Sequence, residues 1–155
     1  GFDVIEVGPA TQTYLNEKKL IIEDALSDTR ADIEECIVEG GGRAYITVEN
    51  KIKGFVNRLI EGEQIGGNIV LKALEKPLYH IAENAGQNGD IIVEKVKESK
   101  DEIGYNANEN VLVNMKEEGI IDPTKVTRTA LENAVSISSM ILTTDAAICN
   151  VDKEI

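Results

Sequence analysis

Basic residues are in short supply in this chain: 16 Lys and Arg stand against 28 Asp and Glu, a net charge of −12. So acidic a surface repels phosphate backbones, and no cluster of Lys or Arg overrides it, which argues against nucleic-acid binding. Long apolar runs are missing as well. None approaches the roughly 20 residues of a membrane helix, and no charged-then-apolar leader opens the sequence, so no membrane partner is expected. Cysteine occurs twice, as Cys36 and Cys149, far apart and without metal-ligand spacing. Two such residues read as reduced thiols of a cytoplasmic protein rather than a disulfide framework. The single histidine, His80, has no partner motif, so no Ser/His/Asp or Cys/His nucleophilic set and no metal centre can be argued. Internal repeats and low-complexity tracts are absent too. The first residue is Gly rather than Met, and the expectation is a piece of a longer chain.

What is present is globular: 155 residues, 42% hydrophobic and 28% charged, enough to bury a core. The stretch from Asn16 to Gly42 organises the rest. Its apolar residues Ile22, Ala25, Leu26, Ile33, Cys36 and Ile37 recur mostly at intervals of three and four, which predicts a helix with an acidic outer face. Proline is absent from it, and Gly40-Gly41-Gly42 stops the pattern. A helix of about 20 residues is roughly 30 Å long, a lever with a carboxylate near one end and a tight turn at the other.

Around the lever, Phe2, Val4, Ile5 and Val7 read as a strand, and Thr143 to Val151 as another. Helices are expected over Ala44 to Ile60, with Val48, Ile52, Phe55, Val56 and Leu59 as its stripe, and over Gln64 to Glu83, broken or kinked at Pro77. The latter draws its apolar set from Ile65, Ile69, Ala73, Ile81 and Ala82. Asn84 to Asp90 reads as a loop, Ile91 to Ser99 as a short helix, and Glu102 to Asn110 as turns. Asp122-Pro123 opens a last helix as N-cap and first helical residue, with Val126, Ala130, Ala134, Ile137 and Ile141 as its buried stripe. The fold class is mainly α with a few short strands.

Taken singly, the candidate sites have bland explanations. Asp24 fits a solvated helix face, Tyr105-Asn106-Ala107-Asn108 a turn, Asp122 an N-cap and His80 a structural role. Three glycines exceed what a helix cap needs, so a ligand or another backbone is expected to come close. They are not a P-loop, because no Gly-Lys-Ser or Gly-Lys-Thr follows.

The wording of the motifs is more specific than their spacing. Lys18-Lys19 through Asp24-Ala25-Leu26, Thr29-Arg30-Ala31, Glu34-Glu35 to Gly40-Gly41-Gly42, Asn68-Ile69-Val70, Pro77-Leu78, Gly104-Tyr105-Asn106-Ala107 and Gly119 through Arg128 occur in this order. Together they resemble the C-terminal part of the group I chaperonins, the GroEL family, over essentially the whole chain. The resemblance implies an ATP-driven folding chamber of seven-membered rings that works with a co-chaperonin lid and encloses unfolded client proteins. It also implies that residues 1–37 are the end of an apical domain and the return half of an intermediate domain, and that 38–155 are the C-terminal half of an equatorial ATPase domain. By position, Asp24 matches the aspartate that promotes attack of water on the γ-phosphate. Gly40 and Gly41 match backbone packed against the nucleotide, and Asn106, Ala107, Asn108, Ile120 and Asp122 match the wall around adenine and ribose.

ATP with Mg²⁺ is thereby the implied cofactor, although the family's Gly-Asp-Gly-Thr-Thr phosphate loop and metal-binding aspartate do not occur in this sequence. Asn108 stands where a second alanine is common, and Arg43 where an apolar or small residue is frequent. A continuous helix would hold Asp24 and Gly40 roughly 24 Å apart, so the lever must end before Gly40 or Asp24 must travel with its domain. Without its other half the chain is expected to be inactive and to self-associate through uncovered apolar faces. The rival reading is a non-enzymatic helical scaffold or oligomerisation module derived from a chaperonin.

Overall fold

A computed structural model describes residues 4–6, 8, 11–146 and 148. The expected mainly α fold with short strands is what it shows: six helices and four strands among the described residues. The chain divides into two compact units, residues 1–34 with 124–155, and residues 35–123.

The first unit holds helix α1 (Gln12–Glu35) and helix α6 (Thr124–Leu142). Lys125 at the start of α6 pairs with Glu34 near the end of α1. The α1 periodicity marks a face but not a covered one, since Ala31 is its one buried residue and Leu26 and Ile33 are exposed. The predicted stripe of α6 is likewise uncovered: Val126, Ile137 and Ile141 are exposed, and no residue of α6 is buried. The two terminal strands are not found where they can be checked. Val4, Ile5, Thr143 to Ala146 and Ile148 lie in no strand, and Phe2, Val7 and the rest of the C-terminal stretch fall outside the described residues.

In the second unit, α1 ends at Glu35 because Cys36 takes a left-handed conformation, φ 63°. A left-handed residue after the last turn closes a helix, usually as glycine. The chain then enters β1 (Ile37–Glu39), which pairs antiparallel with β4 (Ile121–Pro123) in the register Val38 to Asp122. Asp122-Pro123 is therefore strand rather than N-cap and first turn, and α6 starts one residue later than its sequence suggests. Pro123 is tolerated because it ends a two-stranded ladder, where one missing donor costs little.

Helices α2 (Arg43–Val56), α3 (Glu61–Leu74), α4 (Lys76–Asn84) and α5 (Gly89–Glu98) follow. The expected break at Pro77 is present: α3 and α4 share Glu75 as their cap, and the proline sits in the first turn of α4. Asn88 caps α5, its Oδ1 accepting from the Ile91 N–H at 3.0 Å, so that helix begins inside the predicted loop. Glu102 to Asn110, read as turns, is half of a hairpin. Strand β2 (Ile103–Asn106) pairs with β3 (Val111–Asn114), joined by a turn with Asn110 at φ 56°.

The core gathers Ile46, Leu78, Ala82, Ile92, Val93, Val96 and Tyr105. Two stripes differ from expectation. Helix α2 buries Arg43, Ile46, Glu49 and Val56 while Val48 and Phe55 are exposed, and α3 buries Leu71 and Leu74 while Ile65 and Ile69 are exposed. Hydropathy ranks Arg43 and Glu49 as outward-facing, but each has partners inside. Arg43 donates to the Asp101 and Lys100 carbonyls at 3.0 and 3.1 Å, and Glu49 pairs with Lys97 at 3.0 Å.

Candidate functional site

The triple glycine links β1 to α2, and each of its residues faces a different neighbour. A Cβ on Gly40 would lie 3.1 Å from the Ile120 carbonyl carbon and oxygen and 3.2 Å from Asp122 Oδ1. On Gly41 (φ 60°) it would meet Met115 Cε at 3.0 Å and the Tyr105 carbonyl oxygen at 3.6 Å. On Gly42 (φ 79°) it would press on the Leu78 nitrogen at 2.8 Å. The expected close approach is thus made by protein, backbone at two positions and a methionine side chain at the third. The Gly40 N–H donates to the Ile120 carbonyl at 3.0 Å, and the Gly40 carbonyl accepts from the Arg43 N–H at 3.0 Å.

Residues 80 positions apart in sequence therefore share one small region: Gly40 and Gly41 lie against Ile120, Asp122 and the strand that carries Tyr105 and Asn106. Ala107 follows that strand and packs on the core cluster. The Asn106 carboxamide accepts from the Asn108 N–H at 3.0 Å, an Asx-type turn, and Asn108 itself is exposed. The hairpin is fastened by the Tyr105 hydroxyl, which donates to Asn110 Oδ1 at 2.6 Å. Asp24 is on the exposed surface of α1 and belongs to the other unit. His80 is exposed, its ring edge-on to Tyr79.

Hydropathy and motif reading passed over Tyr45 and Glu39 in this region and marked Arg43 only as a departure from the family wording. Tyr45, in the first turn of α2, has its phenol held above the ordinary 10.0 by burial and then by the negative charge of Asp122. Arg43 is 1% exposed and ties the glycine turn to the turn between α5 and β2. Burial lowers its pKa, with Asp101 and Glu39 opposing. Glu39 pairs with Lys116 at 2.9 Å. Burial pushes its carboxyl up, but the Lys116 bond and charge prevail and hold it below the usual range. An aromatic or charged residue beside a glycine turn was the available signal for Tyr45 and Arg43; for Glu39 there was none.

In chemical terms the region offers glycine backbone leading into a helix N-terminus whose first N–H, on Arg43, is already bonded to the Gly40 carbonyl, together with a carboxylate at Asp122. Among the described residues no group of three or more His, Cys, Asp or Glu could hold a metal ion. Also among the described residues, no helix is long and apolar enough to cross a membrane. Residues 2–152 match the TCP-1/cpn60 chaperonin family.

Proposed function

The chain belongs to the TCP-1/cpn60 chaperonin family, and from that premise we propose that it supplies part of the ATPase machinery of a group I chaperonin. In this reading it works in the cytoplasm within seven-membered homo-oligomeric rings that take a co-chaperonin lid and enclose non-native proteins. Residues 1–37 belong to the apical and intermediate domains and 38–155 to the equatorial domain. Gly40, Gly41, Asn106, Ala107, Asn108, Ile120 and Asp122 form one side of the adenine and ribose pocket, with the Asp122 carboxylate accepting from ribose hydroxyls. Asp24 accepts a hydrogen from water and orients it for attack on the γ-phosphate.

The observation that carries this reading is the meeting of Gly40 with Ile120 and Asp122: the Gly40 N–H donates to the Ile120 carbonyl at 3.0 Å, and Asp122 Oδ1 lies 3.2 Å from where a Cβ on Gly40 would stand; the resemblance assigns these positions to one ligand. The resemblance assigns the phosphate and Mg²⁺ ligands to residues other than these. The chain by itself is accordingly inactive. Isothermal titration with Mg·ATP tests this: heats at the dilution baseline are expected, and tight, saturable binding would refute the division of the site. In a ring assembled with the remaining domains, Asp24→Ala should abolish turnover while nucleotide is still held. Unchanged hydrolysis would remove Asp24 from its role.

One observation supports self-association, which the rival scaffold reading also requires. Helix α6 buries nothing, and Ile65 and Ile69 are exposed on α3. Self-association follows from such uncovered faces. Light scattering over a concentration series should show mass rising with concentration, and a constant monomer mass would exclude it.

A further inference from the structure

Asn88-Gly89 is the sole Asn-Gly pair in the sequence, and both of its residues are fixed by contacts. A Cβ at position 89 would fall 2.6 Å from Tyr79 Cδ2 and 2.8 Å from the Tyr79 carbonyl oxygen, so only glycine fits. Position 88 must cap α5, which restricts it to a short polar residue. Asparagine followed by glycine is the pair most open to attack on its own side chain, because no Cβ shields the next backbone nitrogen.

We propose that Asn88 is a site of spontaneous deamidation, held in check by Glu83. In the reaction the Gly89 nitrogen attacks Asn88 Cγ, a C–N bond forms, the Cγ–Nδ2 bond breaks, and ammonia leaves with the proton from Gly89. Water then opens the succinimide at either carbonyl, giving aspartate or isoaspartate. The fold opposes the first step twice. The Gly89 N–H donates to Glu83 Oε1 at 2.8 Å, a charge-assisted bond that keeps the proton on the nucleophile. Asn88 Oδ1 accepts from the Ile91 N–H at 3.0 Å with the backbone extended (φ −72°, ψ 113°), which fixes the carboxamide over the helix end. Asn88 and Glu83 are exposed, so water reaches the site once the first turn of α5 opens.

The two products have opposite effects. Aspartate at 88 still accepts from Ile91, and its charge suits a helix N-terminus. Isoaspartate adds a backbone methylene next to the buried Gly89, pushing on Tyr79 and on the start of the helix that brings Ile92, Val93 and Val96 into the core.

Peptide mapping by mass spectrometry, after incubation of the whole chain in mildly alkaline buffer, tests the proposal. Deamidation at Asn88 is expected to be at least about tenfold slower in the folded chain than in denaturing urea, a factor equivalent to about 1.4 kcal/mol. Glu83→Ala should move the folded rate toward the urea rate with the far-UV spectrum unchanged, and Glu83→Gln, which keeps the shape and a weaker acceptor, should fall between. Equal rates in buffer and urea would overturn the proposal. So would a Glu83→Ala rate that is unchanged or lower; the lower rate would make Glu83 a base that assists the reaction.

Discussion

Replacing Lys97 by Met should cost the second unit more than its surface position suggests. The ammonium lies 3.0 Å from Glu49 and 2.7 Å from Glu75, joining α2, the α3–α4 junction and α5. The Glu49 side chain is 5% exposed, and its Oε2 has no hydrogen-bond partner, so Lys97 is what compensates its charge. Stranding a buried carboxylate costs roughly 3–5 kcal/mol. The low end applies because the Lys97 side chain is 19% exposed and water can enter. About 3 kcal/mol is a large share of a domain stability of roughly 5–15 kcal/mol. At about 1–3 kcal/mol per molar urea it moves the midpoint by about 1–3 M. Urea titration followed by far-UV circular dichroism and by tyrosine fluorescence, with Tyr105 buried in this core, reads it. The decisive comparison is the double variant Lys97→Met/Glu49→Leu, which removes both charges and should recover most of the loss. A single variant within about 0.5 kcal/mol of the parent, or a double variant at the sum of the singles, would refute the reasoning. The pH dependence has a fixed sign. Burial lowers the Lys97 pKa, but the bonds to Glu75 and Glu49 outweigh it and raise it above the ordinary 10.5. Its contribution is therefore complete below 10.5 and is lost as pH rises through the raised value.

Further expectations concern the glycines, the helix end and the acid limit. Gly42→Ala combines a positive φ with a 2.8 Å backbone contact and should destabilise by about 3 kcal/mol or more. Gly54→Ala, inside α2 with nothing within 4 Å, should stabilise by about 0.5–1 kcal/mol; matched urea titrations compare the two. Cys36→Gly relieves a left-handed cysteine at φ 63° and should raise the midpoint by the equivalent of about 1 kcal/mol. The Glu39 carboxyl is held below 4.5, so its share of stability is present above 4.5 and lost as pH falls through the lowered value. Glu39→Gln should flatten that part of an acid titration. Asp24→Asn, on an exposed face, should leave the urea midpoint within about 0.5 kcal/mol of the parent.

The parts legible in the sequence were those set by local rules. Three-and-four spacing without proline marked α1, and the ring of Pro77 marked the break between α3 and α4, because both effects act within a turn or two. What depends on a distant partner was hidden. Asp122-Pro123 has the chemistry of a helix start, and only pairing with Ile37–Glu39 makes it strand. Arg43 and Glu49 read as solvent-facing, and their burial needs Lys100, Asp101 and Lys97, about 50 residues on. The hairpin escaped because its strands are four residues each and its turn is rich in Asn. Periodicity assigned α6 a buried stripe, and none of its residues is buried, because spacing marks a face without saying what covers it. In the candidate site, the glycines announced a close approach, while the identity of the neighbours, Ile120, Met115 and Leu78, required the fold.

The triple glycine has a mechanical consequence. Three successive glycines leave the space a Cβ would fill to the end of one ladder, the Met115 side chain, and the first turn of a helix. Such a junction leaves no room for a side chain: a Cβ at any of the three positions would press on one of these neighbours. Whatever rests on that junction meets a seat already set before it arrives, and strain introduced at Leu78 or Met115 is felt there without any intermediary.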